Sequence, residues 1–194
     1  QQRLSAIGRN AGMRIVGPNC IGMLNFGSKA GVTFMIPPPM EAPLPQAIGL
    51  VSQSGALGFS LAQAVMRGVS VSHLLTTGNS SDIDVADCVS FLADDPGCKA
   101  IACVFEGMPD PMRFIEAAQI ADAANKPLVV FKLGTGEQGA AAAMSHTGSL
   151  AGSQAAYRAA FQRAGAILVD NFEAMVETAP FLAKAPPPKA RGVA

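Results

Sequence analysis

The sequence has no tryptophan, one tyrosine and two histidines, and only 14% of its 194 residues are charged. Lys+Arg and Asp+Glu are both 14, so no basic excess is available to grip a phosphate backbone, which argues against a nucleic-acid partner. The longest apolar runs are about strand length. A membrane span needs roughly 20 residues, so none is expected. The four cysteines, Cys20, Cys88, Cys98 and Cys103, form no CxxC pair. They read as reduced thiols of a cytoplasmic protein, not as a disulfide framework or a zinc site, and no metal site is expected. No HExxH, P-loop or GxGxxG pattern occurs. No signal peptide opens the chain. It begins at Gln1 without a methionine, which reads as a fragment or a processed piece.

What the chain does have is alternation. Residues 3–11 look like the end of a helix stopped by Gly12, and Met13–Val16 reads as a short strand. A proline-rich stretch follows, with Pro37, Pro38, Pro39, Pro43 and Pro45, and marks a boundary. Then strands at Ala47–Val51, Val71–Leu75, Ala100–Phe105, Leu128–Lys132 and Ala166–Val169 alternate with helices at Gly55–Arg67, Val85–Ala93, 111–124, 153–164 and a last one around Phe172–Ala179. Ala185-Pro186-Pro187-Pro188 is linker-like. Five short apolar strands alternating with helices imply an α/β fold of three αβα layers around a parallel sheet. Right-handed crossovers favour the flavodoxin-like order 2-1-3-4-5.

In such sheets ligands sit beyond the carboxyl ends of the strands, at the switch point between the first and third. That rule selects the loops Ser52–Gly55, Thr76–Asp82, Glu106–Asp110 and Leu133–Gly152. The first is a strand–turn–helix junction with Ser54 as a natural N-cap. Free N–H groups of the first helical turn and the helix dipole suit an anion there, and the small residues Gly55 and Ala56 let one approach. An ordinary capped helix would read the same way. The second loop, Thr76 to Asp82, either lines a polar site or is a turn. Glu106 ends the third strand, as an orienting carboxylate or as a solvated glutamate. Lys132 either faces an anion or snorkels at the surface. His73 lies within a strand and reads as structural.

The fourth loop holds Met144-Ser145-His146-Thr147-Gly148-Ser149-Leu150-Ala151-Gly152. A histidine among hydroxyls and glycines, with no bulky neighbours, presents a nucleophilic nitrogen near neutral pH. A carboxylate such as Glu106 can hold one ring nitrogen so that the other is aimed, as in hydrolase triads.

Gly17-Pro18-Asn19-Cys20-Ile21-Gly22, Ser52-Gln53-Ser54-Gly55-Ala56, Gly78-Asn79, Phe105-Glu106-Gly107 and Ser145 to Gly152 occur in this order. The chain thereby resembles the NDP-forming acyl-CoA synthetases, relatives of the succinyl-CoA synthetase alpha subunit, over nearly its whole length. The resemblance implies a ping-pong reaction in which acyl-CoA and phosphate interconvert with acyl phosphate and CoA, and a phosphoryl group passes through a histidine to ADP or GDP. His146 matches the phosphorylated histidine and Glu106 the carboxylate that orients it. Ser54, Gly55 and Ala56 match the phosphate-holding helix start. Asn19, Cys20, Gly78 and Asn79 match positions near the substrate and CoA. No covalently bound cofactor is implied. The substrates are coenzyme A, phosphate and ATP or ADP, with Mg²⁺ on an ATP-grasp domain that this chain lacks.

The same resemblance divides the chain into residues 1–36, the tail of a CoA-binding Rossmann domain plus connector; residues 47–183, the flavodoxin-like domain; and residues 184–194, a linker. Partners would be the CoA-binding domain and the ATP-grasp domain or subunit, in a hetero- or homo-oligomer. Two rival functions share these features. One is a non-catalytic regulatory or interaction module of the same fold. The other is a serine hydrolase using Ser54, although Ser52 and Ala56 replace the glycines of G-x-S-x-G.

Overall fold

The computed structural model describes residues 2–108, 110–134 and 154–185. Helix α1 (Gln2–Asn10) leads into a hairpin of β1 (Gly22–Asn25) and β2 (Ala30–Thr33). The alternation then runs β3 (Ile48–Ser52), α2 (Gly55–Ala62), β4 (Val71–Thr76), α3 (Val85–Asp94), β5 (Ala100–Phe105), α4 (Pro111–Ala123), β6 (Leu128–Lys132), α5 (Gln154–Arg163), β7 (Ile167–Leu168) and α6 (Phe172–Lys184).

Local chemistry fixes the helix starts. Asp84 and Asp87 form a capping box at α3, Asp110 caps α4 with Pro111 in the first turn, and Asn171 caps α6. Arg113 on α4 pairs with both Asp84 and Asp87, at 2.9 Å from the latter, and so ties the starts of α3 and α4 together.

Strands β3, β4 and β5 are buried at every position. This is the pattern of a sheet covered on both faces. Helices α3, α4 and α5 cover one face, where Phe105, Phe114 and Phe161 stack with ring centroids 4.8 to 6.1 Å apart. Helices α2 and α6 cover the other, through Phe59, Leu61, Met175 and Ala179. Each large side chain so buried contributes about 1.5–3 kcal/mol.

The sheet corrects the expected five-stranded parallel order. Among the described residues it has seven strands, β2-β1-β4-β3-β5-β6-β7, and it is mixed. Strands β3 to β7 pair in parallel, while β1 pairs antiparallel with both β4 and β2. The hairpin is hard to read in sequence because its strands have four residues each, carry glycines and abut the proline stretch. It covers the edge of β4, which would otherwise present unpaired main-chain groups, and Leu24 and Phe26 are buried as it does so.

Residues 13–16 form no strand. Ile15 N–H instead donates to the Asp82 carboxylate at 2.9 Å, and its carbonyl accepts from Ile83 N–H at 3.0 Å. The helix expected over Gly55–Arg67 is α-helical only to Ala62 and continues as a tighter 3₁₀ turn over Gln63–Arg67.

One consequence positions the site. Ser52 stands in register with Thr76 on one side and Val104 on the other. The chain leaves β3 for β4 by α2 on one face, and leaves the neighbouring β5 for β6 by α4 on the opposite face. The two connections part above the end of β3 and leave a crevice there.

Candidate functional site

That crevice holds a cavity of about 200 Å³, lined by Asn19, Ile21, Gln53, Ser54, Gly55, Ala56, Gly78, Asn79 and Glu106. A water takes about 30 Å³ of liquid volume, so the space suits a small anion with a few waters.

Helix α2 opens into this cavity. Ser54 has extended backbone, φ −86° and ψ 121°, and its Oγ accepts from Leu57 N–H at 3.4 Å. Ser52 Oγ donates to the Ser54 carbonyl at 2.6 Å. The first intrahelical bond is Gly58 N–H to the Ser54 carbonyl, at 2.9 Å. Gly55 and Ala56 precede it, so their N–H groups belong to the orphan donors of the first turn.

Gly55 has a steric reason beyond access for an anion. A Cβ there would lie 2.5 Å from Ile21 Cγ1, so the absent side chain lets the Gly17–Gly22 segment lie against the helix start.

The second loop is sewn to the same segment. Gly78 has φ +57°, and a Cβ on it would lie 2.4 Å from the Pro18 carbonyl oxygen. Asn79 N–H donates to that carbonyl at 2.9 Å, and Asn19 Nδ2 donates to Asn79 Oδ1 at 3.3 Å. Cys20 lies outside the cavity lining. Its Sγ is 3.0 Å from the Thr76 carbonyl and 3.1 Å from Thr76 Oγ1, so it fastens the segment to the end of β4.

Glu106 enters from the third loop. Its N–H and that of Gly107 both donate to Gln53 Oε1, at 2.8 and 3.2 Å, and Gln53 Nε2 donates to the Gly107 carbonyl at 2.8 Å. The sequence reading gave Gln53 no role. The available signal was an amide at the end of an apolar strand, where a polar side chain must find partners. Ile21 was also missed, because its importance lies in what Gly55 lacks.

His146, with the rest of residues 135–153, lies outside the described residues. Lys132 does not snorkel to solvent. It is buried, and its ammonium donates to the carbonyls of Glu106 and Leu133. His73 is a packed strand residue, as read from the sequence, with Phe91 edge-on to its ring.

The thiols of Cys88, Cys98 and Cys103 are buried, which pushes Cys88 up to about 12, Cys98 up to about 11 and Cys103 well above its ordinary value. Among the described residues no group of three or more His, Cys, Asp or Glu is placed to hold a metal ion. Among them, too, no helix is long and apolar enough to cross a membrane. A larger cavity of about 630 Å³ lies beside the hairpin and α3. Its lining is dominated by groups such as Met23, Leu75, Ile83 and Phe91, and its one guanidinium, that of Arg14, is paired with Asp82.

Comparison with known proteins bears on this geometry. The family model described as "Succinyl-CoA ligase like flavodoxin domain" matches residues 45–182. The alpha subunit of acetate–CoA ligase (ADP-forming) I of Pyrococcus furiosus is 39% identical over 194 residues, which is all of this chain and 41% of that subunit. The 4-hydroxybutyrate–CoA ligase (ADP-forming) of Nitrosopumilus maritimus is 35% identical over 97% of this chain and 27% of its own length. The dinucleotide-forming acetyl-coenzyme A synthetase 1 of Ca. Korarchaeum cryptofilum, solved with phosphate and ADP, superposes with a TM-score of 0.85 at 34% identity, covering 97% of this chain and 40% of that one. The chain thus spans about two fifths or less of these relatives. The family match covers β3 to α6 and every strand end that forms the crevice, and the chain belongs to the family of succinyl-CoA ligase-like flavodoxin domains.

Proposed function

We propose that this chain is the phosphohistidine-carrying module of an ADP-forming acyl-CoA synthetase, an acid–thiol ligase. The observation that carries the reading is the cavity: it gathers Asn19, Ser54, Gly55, Ala56, Gly78, Asn79 and Glu106 around one helix N-terminus. Two of the relatives are ADP-forming CoA ligases and the third, an acetyl-coenzyme A synthetase, was solved with phosphate and ADP, which supports the same reading.

In the proposed sequence, phosphate displaces CoA from acyl-CoA and gives acyl phosphate and free thiol. The His146 ring nitrogen then attacks phosphorus. An N–P bond forms, the acyl O–P bond breaks, and the carboxylate leaves. A terminal oxygen of ADP takes the phosphoryl group, which yields ATP and returns the imidazole. The start of α2 at Ser54, Gly55 and Ala56 holds the phosphoryl oxygens with main-chain N–H groups. Glu106 accepts a hydrogen bond from one ring nitrogen and aims the other. Asn19, Gly78 and Asn79 line the substrate side, and Cys20 braces them.

Residues 1–36 are the tail of a CoA-binding domain plus connector, residues 47–183 the flavodoxin-like domain, and residues 184–194 a linker. The match at 45–182 supports the middle boundary. CoA, nucleotide and Mg²⁺ bind on CoA-binding and ATP-grasp partners, and the complete enzyme is an oligomer acting in the cytoplasm. The hydrolase alternative loses ground on backbone geometry. Ser54 has ordinary extended φ and ψ, not the strained turn of a nucleophile elbow, and its Oγ caps α2.

Intact-protein mass of the complete enzyme after incubation with ATP and Mg²⁺ tests the proposal. One added phosphoryl group, labile to acid, stable to base and lost in His146→Asn, is the expected result. An unlabelled wild type would make the chain a non-catalytic module of the fold. Label persisting in the variant would move the carrier elsewhere.

A further inference from the structure

Lys132 is the last residue of β6 and only 6% exposed. A strand-end lysine normally snorkels, because taking an ammonium out of water is costly unless it is bonded. Here Nζ donates to the carbonyl of Glu106 and, at 2.7 Å, to that of Leu133. The Tyr157 ring lies 5.1 Å away and the Phe105 ring 5.8 Å, both in cation–π range. Burial pushes the Lys132 pKa below its ordinary value, and the Glu106 carboxylate pulls it partly back. A methionine would fill the same space without that desolvation.

What the ammonium contributes is seen from the far side of the loop. Strand β5 ends at Phe105, and the main chain of Glu106 and Gly107 has left the ladder. All four of its polar groups are nonetheless held by side chains of the two flanking strand ends. Gln53, following β3, takes both N–H groups and donates to the Gly107 carbonyl. Lys132, on β6, takes the remaining carbonyl, that of Glu106. The stretch from which the carboxylate reaches the cavity is therefore clamped from both sides by side chains of the neighbouring strand ends.

We propose that Lys132 and Gln53 are positioning residues for Glu106, acting through its main chain to fix where its carboxylate stands. The inference rests on the reading of Glu106 as the orienting carboxylate. An aimed imidazole tolerates little error, since a displacement of roughly 1 Å costs on the order of 10²-fold in rate.

Single-turnover phosphorylation of the complete enzyme by ATP tests it, with circular dichroism checking that each variant is folded. Lys132→Met should slow the step by about 10- to 100-fold. In a Glu106→Gln background the same substitution should add less than about twofold, because both changes then act through one group. A residue that served folding alone would leave the rate of the folded fraction unmoved. A Lys132→Met rate within about twofold of wild type, or an effect that multiplies fully with Glu106→Gln, overturns the inference while leaving the role of Glu106 standing. A wild-type rate in Glu106→Gln itself overturns that role and the inference with it. Should Lys132→Met fail to fold, Gln53→Met carries the same expectation and criteria, since it removes the bonds to the Glu106 and Gly107 main chain at similar volume and adds no charge to the cavity.

Discussion

Replacing Gly78 by alanine tests the junction that closes the cavity. Two separate penalties act at this position. The backbone has φ +57°, where an L side chain costs about 1–2 kcal/mol. The new Cβ would also lie 2.4 Å from the Pro18 carbonyl oxygen and 2.5 Å from that of Asn19, and these are main-chain atoms that cannot rotate away. Relieving such an overlap costs typically about 1–3 kcal/mol. The sum is about 2–5 kcal/mol. Gly68 supplies the comparison: its φ is +82°, yet a Cβ there meets nothing within 4 Å. Gly68→Ala should lose only the conformational part, about 1–2 kcal/mol. Equilibrium urea unfolding of both variants reads the difference as a shift in midpoint at constant slope. Equal destabilisation of the two would refute the close approach of the 78–79 and 17–19 segments. Gly78→Ala should also weaken phosphate binding, because the shift moves Asn19 and Asn79 together, and Gly68→Ala should not.

Three further outcomes are expected. Ser54→Asp keeps a good N-cap but places a negative charge at the helix start, so the KM for phosphate should rise at least about tenfold with the fold intact; an unchanged KM would remove the phosphate from this helix. Glu106→Gln should slow histidine phosphorylation by about 10²-fold, with little loss of stability, because Gln53 and Lys132 bond its main chain and not its carboxylate. His73 is buried 3.5 Å from Asp95, and Nδ1 has no hydrogen-bond partner among the described residues. Burial holds its pKa below 6.5, with Asp95 pulling it partly back. The unfolded chain then takes up the proton first, so wild type should lose stability as pH falls below about 6.5, and His73→Phe should flatten that slope; parallel urea midpoints for the two proteins across pH 5–7 would show that the proton does not discriminate.

The alternating part of the fold was legible because β3, β4, β5 and, but for one residue, β6 are buried on both faces and read as short, largely apolar runs. Ala100–Phe105 and Leu128–Lys132 are found at their expected bounds, and the helices start at their capping residues. The hairpin was not legible. Met23, Leu24 and Asn25 form a strand only because β4 offers a free edge to pair with, and that is a tertiary fact. Ile15 shows the reverse case. An apolar run reads as a strand, but its main-chain partners are the carboxylate of Asp82 and the N–H of Ile83.

The site divides along the same line. Residues recognisable by chemical type at a strand end, Ser54 and Glu106, stand where the switch-point rule puts them, on the lining of one cavity. The residues that hold them there are recognisable only by what they touch. Gln53 lies inside a motif read for its serine and glycine, yet it makes three main-chain bonds to the Glu106 loop. Gly55 reads as an opening for an anion, but its missing Cβ is the space Ile21 needs. Lys132 reads as a charge seeking solvent or an anion, whereas its partners are two carbonyls. In each case the side chain binds backbone or fills a gap left by another residue, and backbone partners leave no mark on residue type. A short polar motif in such a sheet therefore identifies the groups that line the cavity more readily than the neighbours that hold them. The larger apolar cavity beside the hairpin makes the complementary point: volume alone would have selected it, and only the convergence of N–H groups, amides and a carboxylate selects the smaller crevice above β3.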